Sequence, residues 1–126
     1  MRAIIIIVVV LVIIFTGSIA SANFLQSSSG SMNQELKIVY EKVKSKEWDK
    51  AHQQLQLVDE KWGKIKDSWA VFLDHQEIDN IELSLSKMRE YVKNGDKIQS
   101  LAEISLLKLL FEHIPEKEKF SFKNIF

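Results

Sequence analysis

Three side chains that could ligate a metal lie at helical spacing in the second half of the chain. His75, Asp79 and Glu82 fall within about 60° of one another when the segment is drawn as a helix. Imidazole and carboxylate groups are common ligands of divalent cations. The same spacing fits a hydrated first turn, and an exposed face lacks the dry, shaped surroundings of a metal site. We therefore expect a solvated helix start, with ligand or divalent-metal binding at these residues as the alternative.

The rest of the chain offers little that is suited to catalysis. It has no cysteine, which excludes disulfides, thiol catalysis and cysteine-held metals. It has no His-Glu-x-x-His motif and no glycine-rich phosphate loop, and His52 and His113 stand alone. Basic and acidic residues each number 17, so no basic excess points to nucleic acid. We expect a protein without a cofactor that is not an enzyme and does not bind nucleic acid.

The N-terminal segment carries the strongest pattern in the sequence. Residues 3–15 are an unbroken apolar run, and the uncharged stretch continues to Ala22. As a helix, residues 3–22 would be about 30 Å long, which matches the hydrocarbon core of a bilayer. Arg2 and the α-amino group precede the run, and this favours a cytoplasmic N-terminus with the remainder translocated. We expect residues 3–22 to enter the membrane and the domain after them to be extracytoplasmic.

Two interpretations of this segment are open on the residues alone. Ala20-Ser21-Ala22 resembles a signal peptidase site, and cleavage after Ala22 would give a secreted protein. Without cleavage, the chain would be a single-pass protein of the cell membrane. We assign residues 1–25 to this anchor or signal segment and the Ser- and Gly-rich residues 26–31 to a flexible tether. Residues 32–126 form the extracytoplasmic domain.

Apolar residues in this domain recur at helical spacing. A first helix is predicted over about 32–45, with Ser31 and Gln34 as its capping box. A turn near Lys46 leads to a second helix that begins around Glu47. Because Trp usually fills a core, we expect its three Trp residues to pack inside and not to form a ligand cage. Its apolar stripe consists of Trp48, Ala51, Leu55, Val58, Trp62, Ile65, Trp69, Phe72 and Leu73.

The stripe changes direction after Leu73, so we break the chain at Asp74, where an Asp-x-x-Glu capping box begins. The third helix is predicted over about 75–93, and one long kinked helix is the alternative. Asn94-Gly95-Asp96 ends the third helix and caps the fourth. The fourth helix should stop near His113, because Pro115 cannot continue it.

The fourth helix is apolar on nearly all sides, so all sides need cover. Either it lies centrally with the Phe-rich tail strapped over it, or part of its surface binds a partner or a second copy. The candidate interaction residues are Leu106, Leu109, Phe120, Phe122 and Phe126.

A weak internal similarity indicates how the helices combine. Val43-Lys44-Ser45-Lys46 and Val92-Lys93-Asn94-Gly95 each close one helix before another begins. We therefore predict an all-α protein in which an N-terminal transmembrane helix precedes a small antiparallel bundle. The bundle consists of two stacked helical hairpins, either tetratricopeptide-like or a four-helix bundle.

Several of these features together resemble an uncharacterised family of small bacterial proteins with a single N-terminal membrane segment, domain of unknown function family 4363. The resemblance covers essentially the whole chain and favours an uncleaved anchor. It implies a location and a fold, and it brings no established activity. We expect an accessory protein of the cell envelope that contacts an unknown protein partner or itself. The residues that carry the resemblance are the apolar segment, Glu47-Trp48-Asp49-Lys50-Ala51, Trp62 with Trp69, Asp74-His75-Gln76-Glu77-Ile78-Asp79, and Ser121-Phe122-Lys123-Asn124-Ile125-Phe126.

Overall fold

Four helices joined by short turns make up the chain, which confirms the all-α prediction. The computed structural model describes the backbone of residues 1–125 and the side chains of residues 1–116. The helices are α1 (Arg2–Lys44), α2 (Trp48–Phe72), α3 (His75–Lys93) and α4 (Lys97–Ile125).

The helices form an antiparallel four-helix bundle. Each packs along two neighbours: α1 lies against α2 and α4, and α3 lies against the same two helices. Tetratricopeptide-like stacking would instead place α1 against α3. The four-helix alternative is therefore the correct one, and short turns between antiparallel neighbours are typical of it.

The α1–α2 turn and the α3–α4 turn have the same geometry. Lys46 and Gly95 adopt left-handed backbone conformations, with φ of 58° and 66°. In both turns the next amide donates back into the helix, from Glu47 to the carbonyl of Lys42 and from Asp96 to that of Tyr91. These are Schellman motifs, in which a left-handed residue lets the last carbonyls of a helix find donors.

The internal similarity extends to the core. Val43 and Val92 are equivalent positions in the two hairpins. Buried residues of the first hairpin match buried residues of the second at the same separation along the chain. Each hairpin therefore contributes an equivalent half of the core. The matching pairs are Met32 with Ile81, Leu36 with Leu85, Val39 with Met88, Ala51 with Ser100, Leu55 with Ile104, Val58 with Leu107, and Trp62 with Phe111.

The corner between α2 and α3 lies where the stripe changes direction. Leu73 is extended, and Asp74 is the N-cap residue of α3. The Asp74 side chain makes no capping hydrogen bond, and its backbone carbonyl accepts from the amide of Glu77. At α4 the predicted cap is present, because Asp96 Oδ1 accepts from the amide of Gln99 at 3.1 Å. The break at Asp74 is confirmed, and the predicted capping hydrogen bond from the Asp74 side chain is not.

Residues 26–31 were expected to form a flexible tether, and the structure corrects this: they are part of α1. Leu25 and Ser29 are buried in the bundle, so the core begins well before the predicted helix start at Met32. Ser28 Oγ donates to the carbonyl of Phe24 at 2.7 Å and accepts from a Trp of α2. Tertiary packing thus overrides the low helix propensity of a Ser-rich stretch. The apolar segment and the bundle share one uninterrupted helix.

Pro115 does not end α4, contrary to the prediction, and the helix continues to Ile125. A proline inside a helix leaves the carbonyl four residues earlier without its amide donor. Here that carbonyl belongs to Phe111, and the buried hydroxyl of Ser29 donates to it from α1. The Ser29 side chain of α1 therefore replaces the backbone hydrogen bond that Pro115 removes from α4.

We predict that Ser29→Ala lowers the free energy of unfolding by about 1–3 kcal/mol, because a buried carbonyl loses its donor. In a Pro115→Ala background the loss should be smaller, since residue 115 regains its amide hydrogen. Ser27→Ala, at an exposed position of the same helix, should change little. Urea unfolding in nonionic detergent measures all four variants, and equal losses in both backgrounds would contradict this account.

Candidate functional site

The three candidate metal ligands do not converge on a site. His75 and Asp79 are exposed on α3. Glu82 Oε1 accepts a hydrogen bond from Trp62 Nε1 at 2.9 Å and lies 3.4 Å from Lys66 Nζ. Among the side chains that the structure describes, those of residues 1–116, no group of three His, Cys, Asp or Glu could hold a metal ion. The alternative of a divalent-metal module at these residues is therefore not supported.

An aromatic cluster lies at the centre of the bundle instead. The rings of Trp62, Trp69 and Phe111 meet edge to face, with centroids 5.6–5.8 Å apart in every pair. Trp69 and Phe111 are fully buried, and Trp62 nearly so. Each edge-to-face pair adds about 0.5–1.5 kcal/mol beyond the area that it buries. The expectation that Trp62 and Trp69 pack in the core is confirmed.

Both indole N–H groups of the cluster have acceptors on other helices. Trp62 donates to Glu82 of α3, and Trp69 Nε1 donates to Ser28 Oγ of α1 at 2.8 Å. A buried indole that kept no acceptor would cost free energy. With Phe111 on α4, the cluster connects all four helices. Glu82 is thus a structural partner of a core Trp, a role that the spacing along α3 alone does not reveal.

A second pair of charges joins α2 to α3 beside this cluster. Arg89 Nη1 lies 2.7 Å from Asp59 Oδ1. Burial raises the pKa of Asp59, the charge of Glu82 raises it further, and Arg89 partly offsets both. Both side chains are partly exposed to solvent, so this pair adds little to stability.

The outer face of α4 is an apolar stripe, which we define as Ile98, Ala102, Leu106 and Leu109. All four are exposed, Leu106 at 45% and Leu109 at 48%. The expectation that the tail would cover this helix is wrong, because residues 115–125 continue the helix instead of folding back over it. The candidate residues Leu106 and Leu109 are on the surface. The side chains of Phe120 and Phe122, and Phe126 as a whole, lie outside the described residues.

A groove between α3 and α4 adjoins the stripe. It has a volume of about 230 Å³, and its apolar lining is Leu83, Leu106 and Leu110. Lys87 and Glu103 border it, and Glu103 Oε1 accepts from Ser84 Oγ at 2.8 Å. Leu83 is also exposed, so the apolar surface of α4 extends onto α3. A flat apolar surface with a shallow groove and charged edges is typical of a protein contact, not of a reaction centre.

The N-terminal part of α1 is exposed along its apolar run. Within the described part of the chain, α1 alone is long and apolar enough to cross a membrane, and the window that meets this criterion is entirely unburied. Length and composition are the basis of this assignment, and a signal sequence satisfies them as well.

These features define a class: a four-helix bundle continuous with a long apolar N-terminal helix. Residues 19–125 match the family described as Domain of unknown function (DUF4363), and the chain belongs to that family. No curated protein and no solved structure matches the chain. The predicted resemblance to this family is therefore confirmed.

We predict that Glu82→Ala lowers the free energy of unfolding by about 1 kcal/mol, because the Trp62 indole loses its acceptor. Glu82→Gln, which keeps an acceptor oxygen, should lose less than half of that. His75→Ala is the control and should be neutral, since the side chain is exposed. Chemical unfolding followed by Trp fluorescence gives the three values. If instead a divalent cation stabilises the native chain and His75→Ala removes the effect, the structural role assigned to Glu82 is wrong.

Proposed function

We propose that this chain is a single-pass membrane protein whose extracytoplasmic bundle binds another protein, or a second copy, through the apolar stripe on α4. It acts by contact and not by catalysis. The exposure of Ile98, Leu106 and Leu109 on one continuous helix face is the observation that carries the proposal.

The anchoring part rests on the exposed apolar run of α1. In water, this helix would expose a large apolar surface of Ile and Val side chains, and a bilayer removes that cost. Residues 3–22 match the thickness of the hydrocarbon core at about 1.5 Å per residue. Arg2 at the start of the run supports a cytoplasmic N-terminus, which places the bundle on the outer side.

The contact part rests on the pattern of exposed apolar residues. Leu106 has Ala102 one turn before it and Leu109 one turn after it, so the stripe is continuous. Single exposed apolar residues need no explanation, whereas continuous patches often mark interaction sites. Leu57 on α2 provides the contrast, because it is 51% exposed and its neighbours one turn away are Gln53, Gln54, Glu60 and Lys61.

Self-association is the first form of contact to test. Because α1 is continuous from the apolar run into the bundle, every anchored copy presents its stripe at the same height above the bilayer. Two copies could therefore bring their stripes together without leaving the membrane. Anchoring in a plane also removes part of the orientational freedom that association otherwise costs.

We predict that a reporter enzyme fused after Phe126, active only outside the cytoplasm, is active in cells. The mass of the mature chain should include residues 1–22, as an uncleaved anchor requires. A mature chain that starts at Asn23 would replace the anchored form with a secreted one. If a second reporter, of a kind that functions only in the cytoplasm, is active when fused at the same position, the proposed orientation is contradicted.

We predict that Leu106→Glu combined with Leu109→Glu abolishes a crosslinked species formed by the native chain in intact cells. A charge in a desolvated contact lacks a partner and is strongly unfavourable. Leu57→Glu is the matched control and should leave crosslinking unchanged. The mass of the product distinguishes a second copy from another protein. Crosslinking that survives the stripe substitutions, or that Leu57→Glu removes equally, would contradict the role of α4.

A further inference from the structure

A second group of exposed apolar residues lies at the opposite end of the bundle from the α3–α4 turn. Val71 is 77% exposed, and Phe72, which the sequence pattern assigns to the core, is 38% exposed. Phe24 on α1 has the same exposure as Phe72. We name these three residues the basal cluster. None of them belongs to the α4 stripe.

A hydrogen bond fixes the level of this cluster along α1. Trp69 of α2 donates to Ser28 of α1, so these two residues lie at about the same height. Phe72 is three residues further along α2, and Phe24 is four residues earlier along α1. Because the two helices are antiparallel, both steps lead about 5 Å in the same direction, towards the apolar run.

That level coincides with the edge of the hydrocarbon core. If residues 3–22 fill the core, Phe24 is about 3 Å beyond its boundary. The headgroup layer on each side of a bilayer is about 5–8 Å thick. No turn or break separates Phe24 from the apolar run, because α1 is helical throughout. The bundle therefore has no linker that could lift its base away from the lipid.

The course of α4 brings a second helix to this depth and beyond it, because at the same rise per residue Ile125 lies level with about residue 15 of α1. Ser29 of α1 and Phe111 of α4 are joined by a hydrogen bond, and the two helices are antiparallel. The backbone of α4 after Pro115 consequently runs beside the part of α1 that precedes Leu25. Ser18, Ser21 and Ala22 of α1 are partly buried, as expected if α4 covers that face. The base of the bundle is thus wider than a single helix.

We propose that the basal cluster is a lipid-contact site, in which Phe24, Val71 and Phe72 insert into the headgroup layer and hold the bundle upright on the membrane. This inference rests on the membrane anchoring proposed above and assigns a lipid partner to residues outside the apolar run. Aromatic side chains are enriched at this depth of a bilayer.

The chemistry of the contact is apolar and not electrostatic. From Asp67 to Ser86 the chain contains no Lys or Arg, while Asp74, Glu77 and Asp79 follow the basal cluster directly. In α4, which reaches the same depth, the run Glu116-Lys117-Glu118-Lys119 carries no net charge. A surface without an excess of cationic residues has no attraction for anionic headgroups. The contact should therefore form equally well on phosphatidylcholine and should not depend on salt, in contrast to binding through a basic patch.

The absence of cysteine allows a direct test on the full chain. Single cysteines replace Val71, Phe24, Val12 or Leu57, and each carries a nitroxide label in phosphatidylcholine vesicles. Collision with oxygen, which concentrates in lipid, is compared with collision with a water-soluble nickel complex. Leu57, 51% exposed on the same helix as Val71 and outside the α4 stripe, is the matched control, about 21 Å further from the apolar run. Val12 reports on the apolar run itself.

We expect labels at Val71 and Phe24 to be protected from the nickel complex at least threefold relative to Leu57, in low and high salt alike. If Val12 is protected while Val71 and Phe24 behave like Leu57, the lipid contact is refuted and the anchor stands. If Val12 is itself accessible to the nickel complex, the membrane anchoring fails and the lipid contact fails with it. Protection of Val71 that appears only with anionic lipid and vanishes in salt would also overturn the proposal. Circular dichroism confirms that each labelled variant is folded.

Discussion

The missing amide hydrogen of Pro115 constrains more of this structure than any other single feature. It frees the carbonyl of Phe111, and the hydroxyl of Ser29 compensates from α1. That compensation requires α1 to be helical at Ser29 and to lie directly against α4. Phe111 also contributes its ring to the aromatic cluster with Trp62 and Trp69. One arrangement therefore includes the missing amide hydrogen of Pro115, the buried hydroxyl of Ser29 and the packing of the Phe111 ring.

The parts of the fold that depend on neighbouring residues could be predicted from the sequence. The bounds of α3, the left-handed residue at Gly95 and the cap at Asp96 follow from local backbone chemistry, and the structure agrees. The course of residues 26–31 and of α4 beyond Pro115 could not be predicted in the same way. Each depends on a partner that is distant in sequence, and in isolation a Ser-rich stretch and a proline do indicate a linker and a helix end.

One signal in the sequence could have corrected the start of the first core helix. The internal similarity that relates Val43 to Val92 also relates Ser29 to Ile78. The apolar stripe of α3 begins at Ile78, so the equivalent stripe of α1 should begin at Ser29 and not at Met32. The Ser- and Gly-rich composition of residues 26–31 indicates a tether instead, although a buried serine is tolerated where its hydroxyl has an acceptor.

Helical periodicity identifies which residues share a face, and it does not identify what lies opposite. His75, Asp79 and Glu82 do lie on one side of α3, yet a Trp side chain from α2 reaches Glu82 and leaves the other two in solvent. The same limit applies to α4, whose many apolar residues indicated cover on all sides. The bundle covers its inner face, and Leu106 and Leu109 stay exposed. An apolar helix face belongs to the core where a neighbouring helix covers it, and it is a possible contact surface where none does.

The continuity of α1 gives a small contact surface a mechanical advantage. A bundle on a flexible tether would sample many heights and tilts, and association would have to restrict all of them. If α1 is anchored in a membrane as proposed, a bundle that continues from it without a break has lost most of that freedom before any partner binds. The α4 stripe contains only four residues, too few to support a strong complex between freely diffusing molecules. Fixed height and orientation reduce the entropy that binding must overcome, so a contact of this size can suffice in the plane of a membrane.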